Sequence, residues 1–209
     1  MEKPVLVCLD MEGVLVPEIW IAVAEKIGVQ ELLVTTREIP DYDELMQRRL
    51  KILNQQKITL SDIEHVVSEL RPLEGATEFL HWLRARCQVI ILSDTFYELA
   101  GPLIQQLGYP TIFSHTLEVN ECGAIRNYHL RQADQKRHAV AALKSLHFRV
   151  LAAGDSYNDI SMLQEAHAGI FFRPPESICE QFPQFPVTVT YAELKAQLRE
   201  AGAFSAHGG

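Results

Sequence analysis

The stretch Val5-Leu6-Val7-Cys8-Leu9-Asp10-Met11-Glu12-Gly13-Val14-Leu15-Val16 decides the fold. It opens with five apolar residues and no polar alternation. That pattern reads as a strand buried on both faces, and such strands belong to parallel sheets covered by helices. Asp10 stands where the strand would leave the sheet. Residues 88–92 (Gln-Val-Ile-Ile-Leu) repeat the pattern and end at Ser93-Asp94, and residues 149–153 (Arg-Val-Leu-Ala-Ala) repeat it again and end at Gly154-Asp155. Residues 169–172 and 187–190 are further strand candidates. Helical spacing fills the intervals, over 76–86 (Phe79, Leu80, Trp82 and Leu83), 96–107 and 135–146. The alternation predicts an α/β protein with a Rossmann-like open parallel sheet.

The segment 17–72 breaks that rhythm. It has no convincing strand, but it carries helical patterns at Trp20–Ile27 and Asp41–Asn54, and a third that Ser61-x-x-Glu64 would open with a capping box and Pro72 would end. The expectation is a small all-helical cap at 17–72, inserted after the first strand of an α/β core made of 1–16 and 73–209. Residues 115–130 read as a hairpin turning at Asn120–Gly123, and the tail after Gly202 is expected to fray.

Composition narrows the function classes. The 209 residues are 47% hydrophobic and 22% charged, ordinary for a globular protein, and 19 basic against 27 acidic residues give a net charge of −8. That balance argues against a nucleic-acid or anionic-membrane surface, yet it leaves room for a locally positive site. Cys8, Cys87, Cys122 and Cys179 form no Cys-x-x-Cys pair, so a reduced, cytoplasmic protein is expected. The start Met1-Glu2-Lys3-Pro4 does not read as a signal peptide, and no apolar run approaches the roughly 20 residues that span a bilayer.

In a parallel sheet the carboxyl ends of the strands share one edge, where ligands bind. Asp10, Ser93 and Asp155 are therefore expected to converge. Asp10 and Glu12, two apart, suit a nucleophile beside an acid. The Ser93 hydroxyl, read as standing at a helix start, suits phosphate oxygens. The run Gly154-Asp155-Ser156-Tyr157-Asn158-Asp159 suits Mg²⁺, which takes carboxylates together with a substrate phosphate oxygen. Lys136 can screen charge between a carboxylate and a phosphate dianion.

These four ordered motifs resemble the haloacid dehalogenase superfamily of phosphotransferases, whose pattern the chain matches as Asp10/Glu12, Ser93, Lys136 and Asp155/Asp159. The helical segment after the first motif fits the same pattern. Within the superfamily the chain is similar to bacterial phosphoserine phosphatases, above all to the variant that moves phosphate from phosphoserine to homoserine. That likeness rests on residues 12–20, 39–43 (Ile-Pro-Asp-Tyr-Asp), 92–98, 153–159 and 182–186, and covers nearly the whole chain.

The resemblance implies Asp10 as nucleophile and Mg²⁺ ligand. It implies Glu12 as acid/base, with its backbone carbonyl on the metal, and Asp155 as the third metal ligand. Ser93 and Lys136 would bind the phosphoryl group, with Asn158 and Asp159 supporting the site. Glu18 would meet the substrate ammonium, Arg49 its carboxylate, and Asp94 and Thr95 would line the amino-acid pocket. The partners implied are O-phospho-L-serine and L-homoserine, in serine and threonine biosynthesis, with a homodimer as the expected assembly if the chain self-associates. No nucleic-acid or membrane partner is expected.

Plainer readings stand beside these. Asp10 can end a strand, Glu18 can favour a helix dipole, Arg49 can belong to a solvated face, and Lys136 can be surface charge, with Lys144 as a weaker alternative to it. Two positions depart from the family pattern. Glu12 stands where most members carry Asp, and Gly13 where phosphoserine phosphatases often carry Ser. Two other functions compete: a phosphatase of the same fold acting on another small ester, such as the enolase-phosphatase type, and a non-catalytic phosphate-ester binding protein.

Overall fold

The computed structural model describes residues 3–35, 38–39 and 41–202. Strand β1 (Val5–Leu9) is followed by helices α1 (Ile19–Ile27), α2 (Tyr42–Gln56) and α3 (Leu60–Glu69), with a 3₁₀ turn at Gln30–Leu33. Then come α4 (Ala76–Arg84), β2 (Gln88–Phe96), α5 (Tyr97–Gln106), β3 (Thr111–Val119), β4 (Ile125–His129), α6 (Gln135–Ser145) and β5 (Arg149–Gly154). The chain closes with α7 (Ile160–Glu165), β6 (Ala168–Phe172), α8 (Glu176–Gln181), β7 (Val187–Thr188) and α9 (Tyr191–Glu200).

The strands form one sheet in the order β4-β3-β2-β1-β5-β6-β7. All neighbours run parallel except β4, which pairs antiparallel with β3. Strand alternation sorts the core onto two faces. Val7, Leu9, Ile91, Leu151 and Phe172 pack with Phe79 of α4, Leu103 of α5 and Leu194 of α9. Leu6, Cys8, Val150, Ala152 and Phe171 pack with Val140 of α6, Leu163 of α7 and Ile178 of α8. Leu9 is in register with Ile91 of β2 and Ala153 of β5, so the three motif-bearing strand ends lie side by side.

The helical insertion shares the first of these cores through Ile19, Val23, Met46, Leu50, Ile63 and Val67. Left-handed Gly28 ends α1, and the Asp41 side chain caps α2 by accepting from Glu44 N. The chain re-enters the core where Leu73 N donates to Leu15 O at 2.9 Å.

Several local expectations need correction. The capping box of α3 is Thr59 with Asp62, two residues ahead of the Ser61/Glu64 pair. Strand β2 continues through Phe96, so Ser93 lies in a strand and no helix N-terminus begins there. Pairing with β3 slips between Leu92 and Phe96, which opposes Ser93, Asp94 and Thr95 to a single partner residue and bulges them out of the ladder. The fifth strand shrinks to Val187–Thr188 because the side chain of Thr190 caps α9. The tail expected to fray lies, from residue 203 on, outside the described residues.

Helix α9 reaches back to the first motif. The Tyr191 ring stacks between Phe79 and Phe172, and its hydroxyl donates to Val14 O at 2.7 Å. Tyr191→Phe should cost about 1 kcal/mol, the worth of one buried hydrogen bond. Urea denaturation should show a lower midpoint at unchanged slope; an unchanged midpoint would show that this bond does not hold the loop.

Candidate active site

The chain leaves β1 through a tight loop in which Leu15 N and Val16 N both donate to Met11 O, at 2.8 and 3.0 Å. Asp10 is 4% exposed, and its Oδ1 accepts from Met11 N at 2.7 Å. Gly13 has φ +73°, and a Cβ there would fall 2.4 Å from Asp155 Oδ2. A side chain there would have to displace the Asp155 carboxyl, and the positive φ favours glycine. Gly154 is constrained likewise, since a Cβ would meet Asp159 Cγ at 2.4 Å.

Lys136, in the first turn of α6, is 2% exposed. Its Nζ lies 2.9 Å from Asp10 Oδ1, 2.8 Å from Asp159 Oδ1 and 3.4 Å from Asp94 Oδ2. Burial alone would lower the lysine pKa, but Asp10, Asp159 and Asp94 together raise it well above its usual value. One ammonium does not balance these carboxylates. Burial, then repulsion from Asp159, holds the Asp10 pKa well above the usual carboxylate range, and the same causes push Asp155 up to about 7. Asp159, fully buried, accepts from Asp155 N at 3.0 Å and Ser156 N at 3.1 Å through Oδ2. Carboxylate oxygens of Asp10, Asp155 and Asp159 lie within 4.8 Å of one another. Buried, oxygen-only and short of positive charge, this cluster fits a hard divalent cation such as Mg²⁺.

The bulge of β2 supplies Ser93, Asp94 and Thr95. Asp94 Oδ2 accepts from Asn158 Nδ2 at 2.9 Å, and Oδ1 accepts from Gln135 Nε2 at 3.1 Å. Burial would raise the Asp94 pKa, yet Lys136 and these donors hold it well below the usual carboxylate range. Gln135 Nε2 also binds Ser93 O at 2.6 Å, fixing α6 to the bulge.

A cavity of about 190 Å³ brings together Asp10, Glu12, Glu18, Arg49, Ser93, Asp94, Thr95 and Asn158. Lys136, Asp155 and Asp159 stand outside its lining, grouped around Asp10 through the ion pair and carboxylate cluster above. Glu12 Oε2 accepts from Ile19 N at 2.8 Å, so this carboxyl caps α1 in place of a local side chain. Burial, then Glu18, pushes the Glu12 pKa up to about 8. Glu18 is exposed at the mouth of α1 and makes no capping bond.

Arg49 is not on a solvated face. It is 7% exposed, its guanidinium lies 4.7 Å from the centroid of the Trp20 ring, and one nitrogen donates to Val34 O at 3.2 Å. Burial lowers its pKa to about 10, which leaves it cationic at neutral pH. Arg49 Nε and Thr95 Oγ1 are buried without a hydrogen-bond partner among the described residues. Lys144 pairs with Glu165 at 2.7 Å, away from this cavity.

Three participants escaped the sequence reading. Tyr42 donates from α2 to Asp94 O at 2.9 Å. His115 on β3 places Nε2 3.6 Å from Asp94 Oδ1. Gln135 is the third. Tyr42 lies within Ile-Pro-Asp-Tyr-Asp and Gln135 adjoins Lys136, but no spacing rule picks out His115.

The fold and site define a haloacid dehalogenase-like hydrolase: the chain matches that family over residues 5–167 and belongs to it. Among curated proteins it is 56% identical to "Phosphoserine phosphatase ThrH" of Pseudomonas aeruginosa, over 96% of this chain and 98% of that one. It is 56% identical to "Phosphoserine phosphatase" of Pseudomonas syringae pv. tomato, over 94% and 83% of the two chains. The fold is shared with a solved substrate-bound phosphoserine phosphatase complex at TM-score 0.77 and 20% identity, covering 94% of this chain and 99% of that one.

Lys136 is the cation on which this cluster is built. Removing one partner of a buried ion pair typically costs about 3–5 kcal/mol. Lys136→Met should lower the unfolding free energy by about that amount in urea denaturation; a variant as stable as the parent would contradict the account of the cluster.

Proposed function

We propose that the protein is a phosphoserine phosphatase that also transfers the phosphoryl group of O-phospho-L-serine to L-homoserine, through an aspartyl-phosphate on Asp10 and with Mg²⁺. The observation that carries this reading is that one small cavity is lined by both sets of candidate groups. Asp10 and Ser93 line it, with Lys136 paired to Asp10, and so do Arg49 and Glu18. A buried guanidinium whose Nε has no partner among the described residues calls for an anion. A carboxylate lining the same small cavity suits an ammonium. Together they select a zwitterionic amino acid carrying a phosphate, which favours phosphoserine over an enolase-phosphatase type ester. The 56% identity to two proteins named phosphoserine phosphatase supports the same substrate.

The Asp10 and Asp155 carboxylates and the Glu12 backbone carbonyl would hold the metal. Bound there, Mg²⁺ would supply positive charge to the nucleophile and to a phosphoryl oxygen. Asp159 accepts from Lys136 through Oδ1 and from backbone N–H groups through Oδ2, so it positions the lysine and the loop.

The chain's own residues provide the rest. Lys136 and Met11 N both engage Asp10 Oδ1, leaving Oδ2 to attack phosphorus. Ser93 and Lys136 bind the phosphoryl oxygens. Glu12, with its pKa near 8, is largely protonated at neutral pH and donates to the departing serine oxygen. As carboxylate it then takes the proton of the incoming hydroxyl, from water or from homoserine. Residues 17–72 act as the cap that limits access of bulk water.

Glu12 differs from the usual aspartate by one methylene, and a displacement of about 1 Å can change rate by about 10². The longer arm suits an alcohol acceptor. In ³¹P NMR of the protein with O-phospho-L-serine and Mg²⁺, adding L-homoserine should produce O-phosphohomoserine, and Glu12→Asp should shift product toward free phosphate. Free phosphate alone in both samples would reject transfer, an unchanged product ratio in the variant would reject the role of the longer arm, and no turnover would reject the amino-acid assignment.

A further inference from the structure

A second cavity of about 1030 Å³ lies against the one at Asp10. Three residues line both: Tyr42, Asp94 and Asn158. They are joined in a chain, Tyr42 Oη donating to Asp94 O at 2.9 Å and Asn158 Nδ2 donating to Asp94 Oδ2 at 2.9 Å.

The middle link is fixed from behind. Arg131 N donates to His115 Nδ1 at 3.1 Å, so the ring proton sits on Nε2, which faces Asp94 Oδ1 at 3.6 Å. Gln135 holds the same oxygen at 3.1 Å. The outer links come from separate parts of the chain, Tyr42 from the helical insertion and Asn158 from a 3₁₀ turn (Tyr157–Asp159) after β5.

The sizes on the two sides differ in kind. At about 30 Å³ per water, the inner cavity of about 190 Å³ holds roughly six waters, below the roughly 300–1,000 Å³ of pockets for drug-sized ligands. The outer cavity reaches that scale, and Leu130, Tyr157, Ile160 and Pro175 give it apolar walls.

We infer that Tyr42, Asp94 and Asn158 form a hydrogen-bonded partition that sets the size of phosphate ester the site admits. With the partition closed, the alcohol portion of the ester must fit beside Arg49 and Glu18. With it opened, an aryl group reaches the apolar outer cavity while its phosphate stays at Asp10. This rests on the phosphatase reading proposed above but not on its amino-acid specificity.

The test compares kcat/KM for p-nitrophenyl phosphate and for acetyl phosphate, a bulky and a compact activated phosphate, in the parent, Asn158→Ala and Tyr42→Ala. Each ratio is taken within one preparation. Losses from partial unfolding or weakened phosphoryl binding affect both substrates and divide out. The ratio of aryl to acetyl phosphate should rise about tenfold in both variants, the scale of a changed apolar fit. An unchanged or lower ratio in either variant overturns the partition. Normal phosphoserine turnover beside that result leaves the functional reading standing. Failure of the parent on all three phosphates overturns both.

Discussion

One buried ammonium organises this molecule. Lys136 meets Asp10, Asp94 and Asp159, which come from three different strand ends. Such a group costs several kcal/mol to desolvate unless its partners are close and well placed. The parallel register of β2, β1 and β5 delivers those partners, and α6 delivers the lysine between them. With Asp155 near, negative charge remains in excess. That excess fits a divalent cation, and burial first, then the excess, is why two carboxyl groups resist ionisation before a cation arrives.

The loop after β1 and the helical insertion are tied together by hydrogen bonds. Glu12 holds Ile19 N at the start of α1, and Tyr42 of α2 reaches the backbone of Asp94. The proposed acid/base is thus bonded to the helical insertion proposed to cover the substrate. A shift of α1 would move the Glu12 carboxyl and change its surroundings together, which ties proton transfer to the position of the insertion. On the opposite side, Tyr191 secures the same loop at Val14.

The sheet and the convergence of Asp10, Ser93 and Asp155 were legible because apolar runs of four or five residues, each leading into an acidic or hydroxyl residue, carry both strand and site in a few positions. The short helices α7 and α8 were not, because six residues give little room for a period to declare itself. The bulge at 93–95 was hidden for a different reason. It is a property of pairing with β3, and no local pattern in β2 encodes it. Arg49 shows the limit of charge runs: Gln47-Arg48-Arg49-Leu50-Lys51 reads as a solvated face, yet helical geometry turns Arg49 inward under Trp20. His115 acts only through contacts made by the folded chain.

The central claim is that Asp10, poised by Lys136, carries the phosphoryl group between donor and acceptor. Acid quench of the protein during turnover of O-phospho-L-serine, followed by proteolysis and mass spectrometry, tests it directly. The account predicts an acyl-phosphate on Asp10 that is lost on raising the pH and absent from Asp10→Asn. Sustained turnover with an unmodified Asp10, or with the label on another residue, would contradict it.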